Sequence, residues 1–370
     1  MRDPRVDKLA QLIVNYSLQL QKGEYVLISG SVVTSPLMVA MYREALKAGA
    51  HPEVIPLLEE LPEILYKEGS DEQIEFVSPL NYLRSEKYDA FIYLWGENNT
   101  KSLAGVDPGR IALRRRATRV LAEIEHRREE QGEFRWCGTL FPTPANAQEA
   151  GMSLAEYEDF VYGAGMLGAD DPVAEWRQLS ERQQRIVEYL STKKELHIVA
   201  KDTDLTVGIS GRTWINCDGK VNFPDGEVFT APEETKVNGK IRFSYPGIYS
   251  GQEIEDIQLE FVNGEVVSAK AAKGLDLLMA LLGTDDGARR LGEIAIGTNY
   301  RINRFTKNML FDEKMGGTIH AALGSCIPGT GGKNISGIHW DMLCDMKDGG
   351  EIAADGEVFY RNGKFLDFVF

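Results

Sequence analysis

The sequence has little cysteine or histidine for its size. Its 370 residues include four cysteines and five histidines. The cysteines are Cys137, Cys217, Cys326 and Cys344. Because no two of them form a Cys-x-x-Cys pair, we expect free thiols in a reducing cytoplasm, and neither a disulfide framework nor a thiolate zinc site is predicted.

Long apolar runs are also missing, and positive charge is in the minority. Without a run of 18 apolar residues, the chain is predicted to have no membrane-spanning helix. No apolar segment follows the charges of the first eight residues, so no signal peptide is expected. Lys and Arg number 41 against 56 Asp and Glu, a net charge of −15. That charge repels nucleic acid and anionic membranes, which excludes both as partners, and it attracts cations.

In the first half of the chain, helical apolar patterns alternate with short apolar runs. Helices are predicted over residues 5–21 and from Ser35 to about Ala48, and strands at Tyr25–Ile28 and Ala90–Trp95. Strands that alternate with helices are typical of an α/β layer. We therefore predict an α/β N-terminal domain with a parallel sheet, residues 1–190.

The second half changes to short strands with few helices between them. Asn263-Gly264 separates two apolar runs, and this dipeptide favours the tight turn of a β-hairpin. One helix is predicted at Leu275–Leu282. Since 370 residues suit two domains, we predict that residues 191–370 form a strand-rich α+β C-terminal domain that binds metal and carries the catalytic site.

Histidines and carboxylates in this second half have the pattern of a metal site. His339 and Asp341 would point to the same side of an extended segment, and His320 follows a Gly-rich stretch. Imidazole and carboxylate are ligands of divalent ions. Glu227 and Glu293 lie among apolar residues, where a carboxylate is costly to bury unless it is paired or bound to metal. Five such groups are too many for one catalytic zinc and suit two ions that share a bridging carboxylate.

Four ordered motifs contain these residues. They are Pro224–Pro232, Gly292–Asn299, Glu313–His320 and Gly331–Asp341. Together they resemble the aminopeptidase T family, the M29 metallo-aminopeptidases, which include staphylococcal and streptococcal members. The resemblance covers most of the chain, with further similar segments at Ala48–Ala50 and Met152–Phe160.

The resemblance implies a function and a ligand set. The residues implied as metal ligands are Glu227, Glu293, His320, His339 and Asp341. They would hold two divalent ions (zinc, cobalt or manganese), with Glu293 as the expected bridge because it lies between the other ligands. The implied activity is removal of N-terminal residues from short peptides with a free N-terminus, by a homodimer with an enclosed active site.

Glu313 is the candidate catalytic residue. A carboxylate beside activated water can take its proton and pass it to the leaving amine. The alternative role of Glu313 is to pair with Lys314 or to cap a turn.

One position departs from the family pattern. The family usually carries a tyrosine in a segment like Leu-Gly-Ser-x-Tyr-Pro, and Ile327 stands there in this chain. A phenol would hydrogen-bond the oxyanion of the tetrahedral intermediate, and the loss of such a donor lowers turnover by about 10²–10³-fold. Tyr300 is the phenol considered as a substitute.

Three functions therefore stay open. The first is a dinuclear metallo-aminopeptidase. The second is a metal-binding homologue with weak or no peptidase activity, for which Ile327 is the motive. The third is a mononuclear iron oxygenase that uses His320, His339 and Asp341 as a facial triad. In such oxygenases the His-x-Asp pair usually precedes the distal histidine, which is the reverse of the order here.

Overall fold

The computed structural model describes residues 3–249 and 251–369. They form two compact units. The first runs to Val173 and also contains Gly219–Pro224, and the second comprises Ala174–Asp218 and the chain from Asp225 onward. The compact units divide after Val173. The predicted domain boundary at residue 190 stays a prediction.

The α-helices of the described residues are α1 (Pro4–Leu12), α2 (Ser35–Lys47), α3 (Glu60–Glu68), α4 (Asp71–Glu75), α5 (Pro79–Lys87), α6 (Pro108–Glu130), α7 (Pro144–Glu149), α8 (Leu154–Ala164), α9 (Pro172–Ser191), α10 (Leu275–Leu282) and α11 (Met309–Asp312). The strands are β1 (Tyr25–Ser31), β2 (His51–Leu57), β3 (Ala90–Trp95), β4 (Arg135–Leu140), β5 (Glu195–Ala200), β6 (Thr203–Gly208), β7 (Ile215–Cys217), β8 (Asn222–Phe223), β9 (Glu227–Thr230), β10 (Val237–Phe243), β11 (Gly247–Tyr249), β12 (Gln252–Ile254), β13 (Ile257–Val262), β14 (Glu265–Lys270), β15 (Leu291–Gly297), β16 (Thr318–Gly324), β17 (His339–Asp345), β18 (Glu351–Ala354), β19 (Glu357–Arg361) and β20 (Lys364–Phe365). Among the described residues, no helix has the length and apolar character needed to cross a bilayer.

The first unit is built on a five-stranded parallel sheet in the order β2-β1-β3-β4-β8. This confirms the predicted α/β class with a parallel sheet. The central strand β3 is a continuous apolar run, as expected for a strand that is covered on both faces. Helix α2 begins at Ser35-Pro36, because proline fits the first turn of a helix, and the chain leaves it at Gly49, where φ is +83°.

Two features of the first unit differ from the predicted pattern. The helix predicted over residues 5–21 ends as an α-helix at Leu12 and continues as a π-helix over Ile13–Ser17. Helix α3 was not predicted. None of its residues is buried, although Leu61, Ile64 and Leu65 have the spacing of one helical face.

The second unit contains two large antiparallel sheets. Their strand orders are β14-β13-β10-β6-β5-β18-β19-β20 and β17-β16-β15-β9-β7. One hydrophobic core takes residues from both sheets and from helices α9 and α10. The predicted hairpin at Asn263-Gly264 joins β13 to β14, with both turn residues at positive φ. The strand-rich α+β prediction for this half is thus confirmed.

The register of the second sheet brings the predicted metal ligands to one face. Ala322 on β16 pairs with Glu293 on β15 and, on its other side, with Asp341 on β17. His320 lies two residues before Ala322, and His339 lies two residues before Asp341, so all four side chains project to the same side. The two histidines and the two carboxylates therefore lie on one face of the sheet, on three neighbouring strands.

The fifth predicted ligand reaches the same surface from a fourth strand. Glu227 begins β9 and pairs with Gly297 at the far end of β15, four residues after Glu293. Even spacing along β15 keeps both carboxylates on one face. Gly297 is required here because a Cβ would lie 2.1 Å from the carbonyl oxygen of Met315.

Candidate metal centre

The five predicted ligands converge in the structure. His320 Nε2 lies 3.1 Å from Glu293 Oε1, 3.3 Å from Glu227 Oε2 and 4.0 Å from Asp341 Oδ1. His339 Nε2 lies 3.5 Å from Glu293 Oε2 and 3.4 Å from Asp341 Oδ2. We call these five side chains the ligand cluster.

Glu293 occupies the middle of the ligand cluster. One of its oxygens faces His320 and the other faces His339. Two sets of three potential ligand atoms result, each within 4.8 Å of one another, and Glu293 belongs to both: Glu227, Glu293 and His320 form one set, and Glu293, His339 and Asp341 form the other.

The backbone orients His339 for binding a cation. Its Nδ1 donates a hydrogen bond of 2.7 Å to the carbonyl oxygen of Ser325. In the neutral ring this leaves the lone pair on Nε2, the nitrogen that faces Glu293 and Asp341. Such a hydrogen bond on the far nitrogen is the usual support of a metal-binding histidine.

Buried polar atoms without partners show that the cluster suits a cation. Among the described residues, Glu227 Oε2 and Asp341 Oδ1 are buried and accept no hydrogen bond. Both are close to His320 Nε2. A buried carboxylate oxygen without a partner is costly unless a cation binds it. Carboxylate and imidazole donors are those that zinc, cobalt and manganese accept, so the residues present fit divalent ions.

The carboxylates dominate the electrostatics of this region. Burial alone lowers the pKa of His320, but Glu227 and Glu293 beside it raise that pKa to about 9. Burial likewise lowers the pKa of His339, and Asp341 and Glu293 raise it to about 10. Burial raises the pKa of Glu293, which lies near two other carboxylates. The cluster therefore attracts positive charge strongly.

Glu313 lies next to the ligand cluster. It offers an oxygen within 4.8 Å of ligand atoms of His320 and Asp341. It also pairs with Lys314 at 2.6 Å, which is the contact expected for its alternative role. The catalytic role of Glu313 stays a prediction. Burial, with help from the nearby carboxylates, raises the pKa of Glu313 to about 8, although Lys314 opposes the shift.

Lys314 was not predicted as part of the site. Its side chain is 2 % exposed, and its Nζ lies 2.5 Å from Glu227 Oε1, 2.6 Å from Glu313 Oε1 and 3.5 Å from Asp225 Oδ1. Burial lowers the pKa of this lysine, but the surrounding carboxylates raise it well above its ordinary range. Its place inside the Glu313–His320 motif is the available signal in the sequence, where a lysine beside a glutamate is typical of an ordinary ion pair.

Gln183 was also missed. It lies on α9 and is fully buried. Its Nε2 donates to the carbonyl oxygen of Glu227 at 3.0 Å and to that of Cys217 at 2.9 Å, and its Oε1 accepts from Thr298 Oγ1 at 2.8 Å. A single glutamine in a polar helix gives no signal in the sequence, because its role depends on contacts with strands 33 to 115 residues away.

The phenol considered as a substitute for the family tyrosine is hydrogen-bonded elsewhere. Ile327 is half-buried in the connection from β16 to β17. Tyr300, the considered substitute, donates its hydroxyl hydrogen to the carbonyl oxygen of Gly363 at 2.9 Å. The Tyr300 hydroxyl is therefore already hydrogen-bonded to the backbone.

The comparison with family models gives a match over nearly the whole chain. Residues 2–365 match the model described as thermophilic metalloprotease (M29). The chain belongs to the M29 metalloprotease family. It is accordingly a metallo-aminopeptidase, a hydrolase of peptide bonds. The iron oxygenase alternative is set aside, because this family is one of metal-dependent peptidases.

Individual relatives agree with this assignment. Aminopeptidase 2 of Geobacillus stearothermophilus is 31% identical over 354 residues, which cover 88% of this chain and 84% of the relative. Aminopeptidase AmpS of Bacillus subtilis (strain 168) is 28% identical over 98% of each chain. The solved structure of wild-type AmpT from Thermus thermophilus superposes with a TM-score of 0.85 at 25% identity, and covers 98% of this chain and 99% of that one. The M29 fold thus spans the chain.

Proposed function

We propose that this M29 enzyme is a dinuclear aminopeptidase that removes N-terminal residues from short peptides with a free N-terminus. The observation that supports two ions is the position of Glu293. Its two oxygens face two different histidines, and it is common to both sets of potential ligand atoms. We propose Glu227, Glu293, His320, His339 and Asp341 as the ligands, with Glu293 as the bridge between zinc, cobalt or manganese ions.

The charge of the buried region supports the same number of ions. Asp225, Glu227 and Glu293 are at most 5 % exposed, and the side chains of Glu313 and Asp341 are 17 % and 13 % exposed. With both imidazoles neutral, as metal binding requires, these five carboxylates and the ammonium of Lys314 carry a net charge of −4. Uncompensated charge of this size is far too costly to bury. Two divalent cations would balance it.

The residues of the chain then have separate tasks. Divalent ions bound by the ligand cluster would polarise the carbonyl group of the scissile peptide and lower the pKa of water. Glu313 keeps one carboxylate oxygen on Lys314, so its other oxygen is the one that accepts a proton from the attacking water and delivers it to the leaving amine. Carboxylates beside the ions attract the ammonium of a free peptide N-terminus.

The test combines metal loading with peptide hydrolysis. Protein stripped of metal and reloaded with Zn²⁺ or Co²⁺ should bind two ions per chain and release the first residue of short peptides, and N-acetylated versions should not be cleaved. Glu293→Ala should lose both ions and all activity, because both ligand sets depend on it. Glu351→Ala, which removes a surface carboxylate paired with Arg361, is the matched control and should behave as wild type. Equal cleavage of acetylated peptides, or one ion per chain, would contradict the proposal.

A weakly active metal-binding protein is the second candidate. Two observations favour it: Ile327 stands where the family tyrosine is expected, and the Tyr300 hydroxyl is bonded to Gly363. Ile327→Tyr should then raise kcat by about 10²-fold or more with little change in metal content. Ile327→Phe, which has the ring without the hydroxyl, should not. An equal, high kcat in wild type and in both variants would show that this chain does not need the phenol.

Assembly and location stay predictions. We expect a homodimer, as the family resemblance implies, in a reducing cytoplasm, as the four free cysteines suggest. Light scattering coupled to size-exclusion chromatography measures the first directly, and a monomer at all concentrations would contradict it.

A further inference from the structure

Lys314 lies at the centre of a third group of potential metal ligands. Cys217 Sγ and oxygens of Asp225 and Glu227 lie within 4.8 Å of one another, next to the ligand cluster. Lys314 Nζ contacts two of the three members, at 2.5 Å from Glu227 Oε1 and 3.5 Å from Asp225 Oδ1. The group therefore has the donors of a metal site and already contains a positive charge.

The contacts of the Lys314 ammonium indicate that its function is to pair with these carboxylates. Lys314 is 2 % exposed, so it does not reach a substrate, and its contacts with Glu227, Asp225 and Glu313 are all to carboxylates of the same buried region. An ammonium has three hydrogens to donate and no acceptor site, and oxygens of three carboxylates lie within 3.5 Å of this one. Its carbon chain is fixed by burial, and the charge cannot move away.

We propose that Lys314 is the permanent third cation of the centre, and that its ammonium keeps a divalent ion out of the Cys217–Asp225–Glu227 group. This inference rests on the proposed dinuclear function. By holding Oε1 of Glu227, Lys314 also leaves only Oε2 for the ligand cluster, where that oxygen faces His320. Lys314 is thus a positioning residue for Glu227 and Glu313.

The consequence is a change in metal count when the charge is removed. Without the ammonium, the third group keeps two carboxylates and a thiol that a softer divalent ion such as Zn²⁺ accepts. A third ion there would compete for Glu227, and Glu313 has already lost its partner with the ammonium. The number of bound ions should then rise while turnover falls.

The test uses Lys314→Ala, with Zn²⁺ as the probe. Metal content measured after equilibration with buffered Zn²⁺ should be two ions per chain in wild type and three in Lys314→Ala, with turnover reduced at least 10-fold. Lys314→Ala combined with Asp225→Asn should return to two ions, because it removes one ligand of the third group. Ethylammonium, which supplies the missing charge, should compete with the third ion and restore part of the turnover. Lys273→Met, a lysine exposed and paired with Glu255, is the control and should keep two ions.

The outcomes separate this inference from the proposed function. Two ions in both wild type and Lys314→Ala would overturn the inference and leave the dinuclear function intact, whereas fewer than two in wild type would fail the function itself. If Lys314→Ala does not fold in metal-free buffer, its folding is followed by circular dichroism with ethylammonium or excess Zn²⁺. Recovery with either cation supports an internal cation. Recovery with neither would mean that the side chain only fills space.

Discussion

Single residues of this protein take their chemistry from the groups that they contact in the folded chain. His339 has its tautomer set by the carbonyl oxygen of Ser325, and Glu313 has one oxygen held by Lys314. The carboxyl group of Asp312, one position away from Glu313, shows the same dependence outside the ligand cluster. It is fully buried at the end of α11.

Asp312 should make the free energy of unfolding depend on pH. Burial raises its pKa to about 7, against the hydrogen bonds from Thr306 that lower it. In the unfolded chain this carboxyl ionises near its ordinary pKa of 3.8. Between these values the folded state holds one more proton, so its stabilising contribution is complete below about pH 4 and is lost as the pH rises to 7. The loss is on the order of 4 kcal/mol at most.

Asp312→Asn tests this pH dependence. The variant keeps an oxygen to accept from Thr306, and it replaces the Oδ2 atom that has no partner among the described residues. Urea unfolding of metal-free protein should show the variant gaining stability relative to wild type as the pH rises from 4.5 to 7.5. Asp276→Asn, at the exposed start of α10, controls for the loss of a carboxylate. A constant difference between Asp312→Asn and wild type at every pH would refute the assignment.

At the scale of elements, helix α9 is tied to the strands that carry the metal ligands. Gln183 on α9 donates to backbone carbonyls of β7 and β9 and accepts from Thr298, just after β15. Gln183→Ala would leave the buried Thr298 hydroxyl and the Glu227 carbonyl without this partner, and each such group costs about 1–3 kcal/mol. We expect a loss of about 3 kcal/mol in the free energy of unfolding, and weaker Zn²⁺ binding because the start of β9 is less firmly held.

The adjacent glutamine provides a matched control for this effect. Gln184 is exposed on α9, where its side chain makes long hydrogen bonds of 3.4 Å with Glu188 and Asn216. Gln184→Ala should change both the urea midpoint and the Zn²⁺ dissociation constant little. If Gln183→Ala and Gln184→Ala lower the free energy of unfolding equally, the hydrogen bonds from Gln183 to the strands that carry the ligands do not contribute to stability.

The elements that could be predicted are those with a clear apolar pattern or turn dipeptide in the sequence itself. β3 and α10 are observed at the predicted bounds, and the turn at Asn263-Gly264 is where its chemistry placed it. The five predicted ligands come together because strand alternation and register follow from the same period-two pattern. Lys314 and Gln183 were not predicted, since their roles arise only when β7, β9 and α9 pack together. Helix α3 was not predicted, although Leu61, Ile64 and Leu65 have the spacing of one helical face.

At the scale of the whole molecule, the net charge of −15 and the ligand cluster both attract cations, but by different physics. Exposed charge acts through the solvent and is screened beyond about 8 Å at physiological ionic strength. The ligand cluster is buried, and its carboxylates lie within about 4 Å of the imidazoles, so salt screens it much less. Cation binding that persists at high salt therefore belongs to the cluster.

Zinc should accordingly stabilise the folded chain in a way that salt does not remove. A ligand that binds only the folded state at 1,000 times its dissociation constant adds about 4 kcal/mol to the free energy of unfolding. Trp340 lies between His339 and Asp341, is 3 % exposed and donates to the carbonyl oxygen of Ile248, and it is one of the five tryptophans whose combined fluorescence reports unfolding. The midpoint of thermal unfolding should rise with Zn²⁺ to the same extent in 0.05 M and 0.5 M NaCl, and Mg²⁺ at equal concentration should raise it less, because the imidazole ligands suit zinc better.

Glu351→Ala should respond as wild type does, and His339→Ala should lose most of the response. A zinc effect that disappears in high salt, or that His339→Ala retains in full, would assign the stabilisation to the surface charge of the molecule instead.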